Sequence, residues 1–411
     1  MSSNETLEIT SIAAGGDGVA RHEGLVVFVP RTAPGDRVRA RVTSKGRFAR
    51  GVLVAVEQPG PGRVHPACPH YERDACGGCQ LQHLSLEAQR AAKAQMVQDA
   101  FARIGKREVA RPPVHAAGSP WRYRRKLTLA LRRTADGWRA GLHRANRPDD
   151  VFALADCRIT DERIVTGFSD VLSQGAQFLP RVPSLRMSLR RDHDDLLLVL
   201  EGGAQWPEAP AFAAAVTAAA AVWWVNEDGR RRLLFDRRAT SDAGASFVQV
   251  NAEVAASLAA HVESLVMAHA PVSVMDGYAG AGDVAVALAS RGVSVTAVEL
   301  DEDASAACAA RLAAPSRALA ARVEDVLSAV LPADVVLLNP PRAGVAAAVT
   351  ETLAACDPRP RAIIYVSCDP ATLARDVARL PGWRVASLDC FDMFPHTAHV
   401  ETVCELVPEG A

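Results

Sequence analysis

The sequence predicts a multidomain α/β protein whose C-terminal part forms a doubly wound, mostly parallel sheet. Two observations support this fold class. Short apolar segments alternate with alanine-rich helical stretches throughout the C-terminal third, which is typical of βαβ units. The N-terminal residues instead form short alternating strands separated by glycine and proline turns, which is typical of a small barrel. The C-terminal strands are expected at 272–276, 293–299, 317–322, 334–338, 362–367, 384–389 and 400–407.

Composition sets broad limits on the class of protein. A chain of 411 residues with 49% hydrophobic and 23% charged residues is an ordinary soluble globular protein of two or three domains. The polar start has no signal-peptide pattern, so a cytoplasmic location is expected. The apolar run 209–225 is interrupted by Pro210 and Thr217, and we interpret it as a helix leading into a strand, not a membrane span.

Residues 1–58 are predicted to form a five-stranded, OB-like barrel, with strands near 7–10, 24–30, 36–42 and 51–56. Between Arg31 and Arg50 there are seven Lys or Arg and one acid, Asp36. Alternate residues of a strand share a face, so several of these arginines lie side by side. The face is either simply solvated or contacts RNA phosphates.

The cysteines indicate a metal centre. Cys68, Cys76 and Cys79 follow a Pro-Gly linker at 59–62, and Cys157 is the only other cysteine before Cys308. Clustered cysteines without a secretory signal suggest metal binding. Four thiolates could hold zinc, but the long first spacing favours a [4Fe–4S] cluster. Three nearby histidines are interpreted as structural or exposed: His65, His70 and His83.

The remainder of the central domain, 59–240, contains a predicted helix and a basic stretch. Residues 84–104 have helical periodicity and are expected to pack on a neighbouring domain. From Arg122 to Arg147 there are nine Lys or Arg and one acid, interleaved with aromatic residues. This mixture suits single-stranded or looped RNA, although a solvated hairpin has the same pattern. No chemistry is assigned to residues 158–240.

A glycine-rich turn follows the first C-terminal strand, in the segment Gly277–Asp283. Glycines between a strand and a helix let a ligand approach the backbone, and Glu299 ends the next strand where it can bind ribose hydroxyls. A dinucleotide would suit such a loop. The spacing differs from that of G-x-G-x-x-G, and S-adenosylmethionine is the better candidate.

Three further polar residues lie at predicted strand ends. Asn339 precedes two prolines, which form a stiff turn at the carboxyl edge of the sheet. Cys368 follows the apolar strand 362–367. Glu401 begins the last strand, where a buried carboxylate could act as a base. Open α/β sheets bind ligands at this edge, so the sequence predicts the active site there.

Together these segments resemble the RNA uracil-5-methyltransferase family over nearly the whole chain. The motifs that carry the resemblance are Cys68 with Cys76-Gly-Gly-Cys79 and Cys157, Asp276-Gly-Tyr-Ala-Gly-Ala-Gly, Asn339-Pro-Pro-Arg, Tyr365-Val-Ser-Cys-Asp-Pro and Phe394-Pro-His-Thr-Ala-His-Val-Glu. The resemblance implies a TRAM-type barrel over 1–58, an iron–sulfur and RNA-binding domain over 59–240, and a Rossmann-like, class I methyltransferase domain with a seven-stranded sheet over 241–411. The barrel and cluster point to the ribosomal-RNA branch.

The resemblance also implies a role for each site residue. Cys368 would add to C6 of uracil, and Glu401 would remove the C5 proton after methyl transfer. The residues expected to bind S-adenosylmethionine are Gln249, Tyr278, Asp283, Glu299 and Asn339. Asp283 stands where asparagine is frequent and Asn339 where aspartate is frequent, which affects the expected affinity for the cofactor more than the type of reaction.

The favoured function is therefore methylation of a 23S rRNA uridine at C5 by a monomer that needs no membrane and no obligatory protein partner. The T-loop uridine of tRNA is the alternative substrate. A non-catalytic RNA-binding assembly factor is a second alternative, which the presence of both Cys368 and Glu401 disfavours. A redox enzyme is also disfavoured, because four cysteine ligands would leave no iron open to a substrate.

Overall fold

A computed structural model describes residues 2–238 and 249–410, and their strands assemble into three sheets. The boundary expected between the second and third domains, at 240–241, lies outside the described residues. Within the described ranges, no helix is both long enough and apolar enough to cross a membrane.

The N-terminal sheet has six strands, one more than predicted, in the order β1-β5-β6-β4-β3-β2. The first strand also begins earlier than predicted, because it pairs along its whole length with β5. The side chains of β5 alternate strictly, so that Arg37, Arg39 and Arg41 are exposed while Val38 and Ala40 are buried. The strands are β1 (Ser2–Glu8), β2 (Ser11–Ile12), β3 (Gly18–His22), β4 (Leu25–Val29), β5 (Arg37–Ser44) and β6 (Phe48–Gln58).

The next segment links the sheets. It contains α1 (Pro69–Arg73), α2 (Leu86–Ala100) with a π-helical turn over Phe101–Gly105, and the short strand β7 (Val114–His115). Helix α2 begins at Ser85, whose hydroxyl accepts a hydrogen bond from the Ala88 amide at 3.2 Å. Val97 and Phe101 of this segment are fully buried in the core of the C-terminal sheet.

The central sheet has the order β10-β9-β8-β11-β12-β13-β14 and is antiparallel except between β12 and β13. Leu131, Phe168 and Phe212 are among its buried core residues. The apolar run 209–225 forms α4 followed by β13, as predicted. The elements are β8 (Lys126–Thr134), β9 (Gly137–Arg144), β10 (Arg147–Ala153), α3 (Glu162–Gly175), β11 (Ser184–Asp192), β12 (Asp195–Glu201), α4 (Ala209–Ala215), β13 (Ala221–Val225) and β14 (Arg231–Asp236).

The C-terminal sheet has the order β17-β16-β15-β18-β19-β21-β20-β7. It contains all seven predicted strands, but the expectation of seven strands in the sheet is wrong, because β7 from outside 241–411 pairs with β20 as an eighth. Helices α8, α9, α10 and α2 cover one face, and α5, α6 and α7 cover the other. The elements are α5 (Ala252–Ala268), β15 (Ser273–Gly277), α6 (Asp283–Ser290), β16 (Ser294–Glu299), α7 (Glu302–Arg311), β17 (Arg317–Ala320), α8 (Val323–Val330), β18 (Val335–Leu338), α9 (Ala347–Ala355), β19 (Ala362–Ser367), α10 (Pro370–Ala378), β20 (Trp383–Phe391) and β21 (Glu401–Pro408).

Candidate active site

Strand β19 delivers Cys368 to the carboxyl edge of the sheet. Every residue of β19 is buried, as expected for an inner strand covered by helices on both faces. Asp369 then caps α10 by accepting a hydrogen bond from the Thr372 amide at 2.9 Å, and Pro370 occupies the first helical turn. The chain therefore turns sharply at Cys368, which is half-buried.

Glu401 lies beside this cysteine because β21 runs antiparallel to β19. Ser367 pairs with Thr402, and continuing that register by one residue brings Cys368 level with Glu401. Burial raises the pKa of Glu401 to about 7, and the nearby Arg342 cation opposes the rise. Burial and then the Glu401 carboxylate raise the pKa of the Cys368 thiol, whereas Arg342 lowers it. The ionisation of Cys368 therefore depends on Glu401, and the pKa values of both groups depend on Arg342.

The glycine-rich turn after β15 adopts backbone conformations that require small residues. Gly280 and Gly282 have φ of +57° and +80°, and a Cβ on Gly282 would lie 2.1 Å from the sulfur of Cys308. Apart from Gly280 and its two chain neighbours, no atom of the described residues lies within 4 Å of the position that a Cβ on Gly280 would occupy. The turn thus leaves open space against its backbone, which suits a ligand that approaches the main chain closely.

Glu299 and Tyr278 belong to the same turn region. The Glu299 carboxylate ends β16 and accepts hydrogen bonds from the amides of Gly280 at 2.8 Å and Asp301 at 2.8 Å. Tyr278 has φ of +63°, and its amide donates to the Val298 carbonyl at 2.9 Å. The Glu299 carboxylate therefore stabilises the turn through these two backbone amides and lies at its edge.

The other expected cofactor residues occupy different settings. Asn339 follows β18 and is exposed. Its backbone amide donates to the Gly277 carbonyl at 3.1 Å, so Asn339 lies beside the turn. Gln249 is half-buried and directly follows the undescribed residues 239–248. Asp283 begins α6, but its side chain is 84% exposed and pairs with Arg311 at 2.7 Å. Its role as a cofactor ligand stays a prediction.

The four cysteines expected to bind metal line a single cavity of about 120 Å³, together with His70, Arg124 and Arg158. They reach it from separate segments: Cys68 precedes α1, Cys76 and Cys79 follow it, and Cys157 follows β10. Within the described ranges, no three His, Cys, Asp or Glu side chains are arranged to hold one metal ion. Burial raises the pKa of Cys76 to about 11 and of Cys79 to about 12.

Comparison with known proteins identifies the family. A tRNA (uracil-5-)-methyltransferase family model matches residues 235–407. The chain is 32% identical to the 23S rRNA (uracil(1939)-C(5))-methyltransferase RlmD of Alkalilimnicola ehrlichii, over 97% of this chain and 95% of the relative. It is 33% identical to an RNA methyltransferase of Thermosynechococcus vestitus, over 97% of each chain. The chain belongs to the RNA (uracil-5-)-methyltransferase family. Members of this family are S-adenosylmethionine-dependent enzymes.

The fold agrees with this assignment. The crystal structure of Pyrococcus abyssi tRNA (uracil-54, C5)-methyltransferase, in complex with S-adenosyl-L-homocysteine, superposes with a TM-score of 0.73. The match covers 98% of this chain and 99% of that one at 22% identity, and so establishes similarity of fold. The expected α/β methyltransferase fold is confirmed.

Arg342 is a residue of this site that sequence reasoning did not assign. Its cation lowers the pKa of both the Cys368 thiol and Glu401. The available signal was its place in the Asn-Pro-Pro-Arg turn, where it is the only cation. The turn itself predicted a polar strand end, but the influence of Arg342 on the thiol at the end of the adjacent strand depends on the tertiary fold.

Helix α10 holds the turn that carries Arg342. The Thr372 hydroxyl donates to the Arg342 carbonyl at 3.1 Å, and Arg375 donates to the Ala343 carbonyl at 2.8 Å. The fully buried Asp376 accepts from the Val345 amide at 3.0 Å and from the Tyr365 hydroxyl at 2.8 Å. Because α10 begins directly after Cys368, one helix positions both Cys368 and Arg342.

Proposed function

We propose that this enzyme transfers a methyl group from S-adenosylmethionine to C5 of a uridine in 23S rRNA, through a covalent bond between Cys368 and C6 of the base. The observation that carries the proposal is the location of Cys368 and Glu401 at the ends of adjacent strands, with Arg342 beside both. An acid with a pKa near 7 beside a half-buried thiol suits a reaction that needs both a nucleophile and a base.

The reaction begins at the thiol. As a thiolate, Cys368 forms an S–C6 bond, and the C5–C6 π electrons move to give an enolate with nucleophilic C5. S-adenosylmethionine supplies the methyl group, which forms a bond to C5 as its bond to the sulfonium sulfur breaks. A base then removes the C5 proton, the C5–C6 double bond reforms, and the Cys368 thiolate leaves.

Glu401 is the group placed to take that proton. Burial holds its pKa near 7, so it is basic enough to accept a proton and is still largely ionised just above neutral pH. Arg342 stabilises the anionic forms of both Cys368 and Glu401. The cation thereby limits the rise in the pKa of the Cys368 thiol that burial and the neighbouring carboxylate cause.

Cofactor binding is assigned to the open turn after β15. We propose that Glu299 binds the ribose hydroxyls and that Tyr278, Gln249 and Asn339 contact the remainder of S-adenosylmethionine. The open space at Gly280 supports this assignment. Asp283 is included on sequence grounds, although its carboxylate would have to exchange its partner Arg311 for the cofactor.

The RNA is assigned to two basic surfaces. On the N-terminal sheet the exposed Arg41 of β5 is paired with the exposed Val52 of β6, and the exposed Phe48 begins the same strand β6. Cations beside apolar groups suit phosphate contacts with base stacking. The second surface is the hairpin β8–β9, where Arg133 lies over the Trp138 ring at 5.7 Å. The ribosomal substrate is favoured by the similarity to RlmD over nearly the whole chain.

We further propose that Cys68, Cys76, Cys79 and Cys157 hold a [4Fe–4S] cluster. In such a cluster each thiolate binds a different iron, so the four sulfurs stay farther apart than around a single ion. The four cysteines line one cavity, which supports a shared thiolate site, and the long spacing between Cys68 and Cys76 favours the cluster over zinc. Its role would be structural, since the segment after Cys79 contacts residues near the active site: the Leu81 amide donates to the His396 carbonyl at 2.9 Å.

The proposed organisation follows from these assignments. Residues 1–58 form a TRAM-type RNA-binding module, 59–240 the cluster and RNA-binding domain, and 241–411 the methyltransferase domain. The enzyme acts on RNA in the cytoplasm, as a monomer without an obligatory protein partner.

Mapping of 5-methyluridine in a deletion strain and a rescued strain tests the function. The proposal expects one 23S rRNA uridine to lose its methyl group in the deletion strain and regain it on rescue. Loss confined to tRNA would assign the enzyme to the T-loop substrate. No loss in either RNA, or full rescue by a Cys368→Ala variant, would contradict the catalytic proposal and favour an RNA-binding assembly factor.

A further inference from the structure

The residues between β20 and β21, 392–400, form a loop that closes directly on the proposed base. Phe391 and Glu401 are paired across the two strands, so Asp392 is the first loop residue beyond that pair. The loop is not a surface segment: Asp392 is 0% exposed, Val400 1% and His396 5%. A shift of this loop would therefore displace the backbone of Glu401.

A buried lysine from a distant part of the chain holds the start of this loop. The Lys93 ammonium, on α2, donates to the Asp392 carboxylate at 2.5 Å and to the Phe394 carbonyl at 3.0 Å. Both side chains are 0% exposed. A buried cation is tolerated only with good partners, so this pair strongly restricts the geometry of the two elements it joins. Arg90 adds a longer contact to Asp392 at 3.5 Å.

Gln89, one turn before Lys93 on the same helix, holds the middle of the loop. Its side-chain oxygen accepts from the His396 amide at 2.8 Å, and its side-chain NH₂ lies 3.2 Å from Nδ1 of His396. Gln89 is 0% exposed. His396 has φ of +68°, an unfavourable conformation for a non-glycine residue, and its ring stacks on Trp121 with centroids 3.9 Å apart. The loop conformation is thus imposed by its neighbours.

The same helix also packs behind the nucleophile. Val97 and Phe101 share a buried cluster with Leu373 and Ala374 of α10, the helix that begins just after Cys368. One rigid helix therefore contacts both the support of Cys368 and the loop that carries Glu401. These two groups end adjacent strands whose register brings them level, and α2 adds a support that packs against the elements beside both.

We propose that Lys93 and Gln89 are positioning residues that hold the Glu401 carboxylate where it can remove the C5 proton from the covalent adduct. This inference rests on the proposed Cys368–Glu401 chemistry. Neither side chain needs to touch the substrate. Their loss would leave thiol addition and methyl transfer largely intact but slow proton removal, so the covalent enzyme–RNA adduct would accumulate.

The test measures adduct and product separately in the full-length enzyme. RNA labelled with [5-³H]uridine is isolated from a deletion strain and incubated with enzyme and S-adenosylmethionine, and tritium release is compared with the RNA–protein adduct that survives denaturing electrophoresis. The variants are Lys93→Met and Gln89→Met. Glu401→Gln gives the reference for blocked proton removal. Gln95→Met is the matched control, since Gln95 lies on α2 but bonds Asp99 and Arg111.

We expect Lys93→Met and Gln89→Met to raise the ratio of adduct to released tritium by about tenfold, because a misplaced base slows only the step it performs. Gln95→Met should match the wild type. The KM for S-adenosylmethionine should stay within about twofold for all three variants, as their effect is confined to the later step.

An unchanged ratio in both variants, with lower or normal turnover, would overturn the positioning role, since a merely structural defect lowers both quantities together. If Lys93→Met fails to fold because it leaves Asp392 unpaired, the ratio for Gln89→Met decides the matter alone. Failure of Glu401→Gln and of the wild-type enzyme to form any adduct would instead refute the underlying covalent mechanism.

Discussion

Cys368 and the four cavity cysteines are supported in opposite ways. Cys368 ends a strand that is buried along its whole length and flanked by hydrogen-bonded neighbours. The cavity cysteines come from turns, where a few bonds such as that from the Cys76 amide to the His70 carbonyl at 3.0 Å hold the backbone. Sheet register fixes the Cys368 thiol without any ligand, whereas the geometry of the cavity would depend on the proposed cluster. Substitutions at the strand end should therefore affect mainly methyl transfer, and substitutions at the cavity should affect mainly metal content and stability.

The largest effect is expected at the strand end. Cys368→Ala should lower methyl transfer at least about a thousandfold, because alanine has no sulfur to form the S–C6 bond. Folding should be retained, as the strand and α10 keep their own hydrogen bonds. Methylation of RNA from a deletion strain, together with a melting curve, measures both. Cys356→Ala, which alters a half-buried cysteine at the end of α9, should behave like the wild type.

Arg342→Gln should give the next largest effect and change the pH dependence. The cation lowers the pKa of both Glu401 and Cys368, so its loss raises both and moves the ionised forms to higher pH. We expect methyl transfer at pH 7 to fall about 10- to 100-fold and to recover partly by pH 9. Single-turnover rates between pH 6 and 9 give the profile.

The control for this profile is Arg359→Gln, which removes an exposed arginine near the opposite end of β19. Its profile should coincide with that of the wild type. An Arg342→Gln profile that is lower but not shifted would assign Arg342 to RNA or cofactor binding and not to stabilisation of the two anions.

Substitution of the cavity cysteines should affect metal content and stability more than methyl transfer. Cys76→Ser/Cys79→Ser is expected to abolish bound iron and sulfide and to lower the melting temperature, because metal-binding free energy contributes to folding. Methyl transfer should fall by about tenfold, far less than for Cys368→Ala, since the cavity acts only through the structure around it. Iron and sulfide analysis of anaerobically purified protein gives the first measurement. Bound zinc in the wild-type protein would replace the cluster proposal.

The smallest effect is expected when a buried tyrosine hydroxyl is removed from either of the two regions. Tyr365→Phe removes the buried hydroxyl that donates to Asp376 at 2.8 Å and should cost about 1–2 kcal/mol of unfolding free energy, with turnover within about twofold. Tyr71→Phe is the matched change in the cysteine segment, where the hydroxyl lies 2.8 Å from Nδ1 of His83. Chemical denaturation should show similar losses, and only Tyr71→Phe should lower the iron content.

Much of the catalytic sheet was predictable because its local pattern and its packing agree. Buried parallel strands need apolar residues on both faces, so β18 and β19 were visible as continuous apolar runs with polar residues at their ends. The strand-end rule then placed Cys368 and Glu401 at one edge. The additional strand β7 was missed because two residues give no periodic pattern.

What the sequence by itself determined was which residue types stand at the strand ends and turns, since burial and backbone conformation restrict those choices locally. Only the tertiary structure decided which of them meet. The Arg342 cation lowers the pKa of the Cys368 thiol at the end of another strand, and Lys93 pairs with Asp392 across 299 positions of chain. Such contacts leave no local pattern, because they depend on how helices and strands distant in sequence pack around a common core.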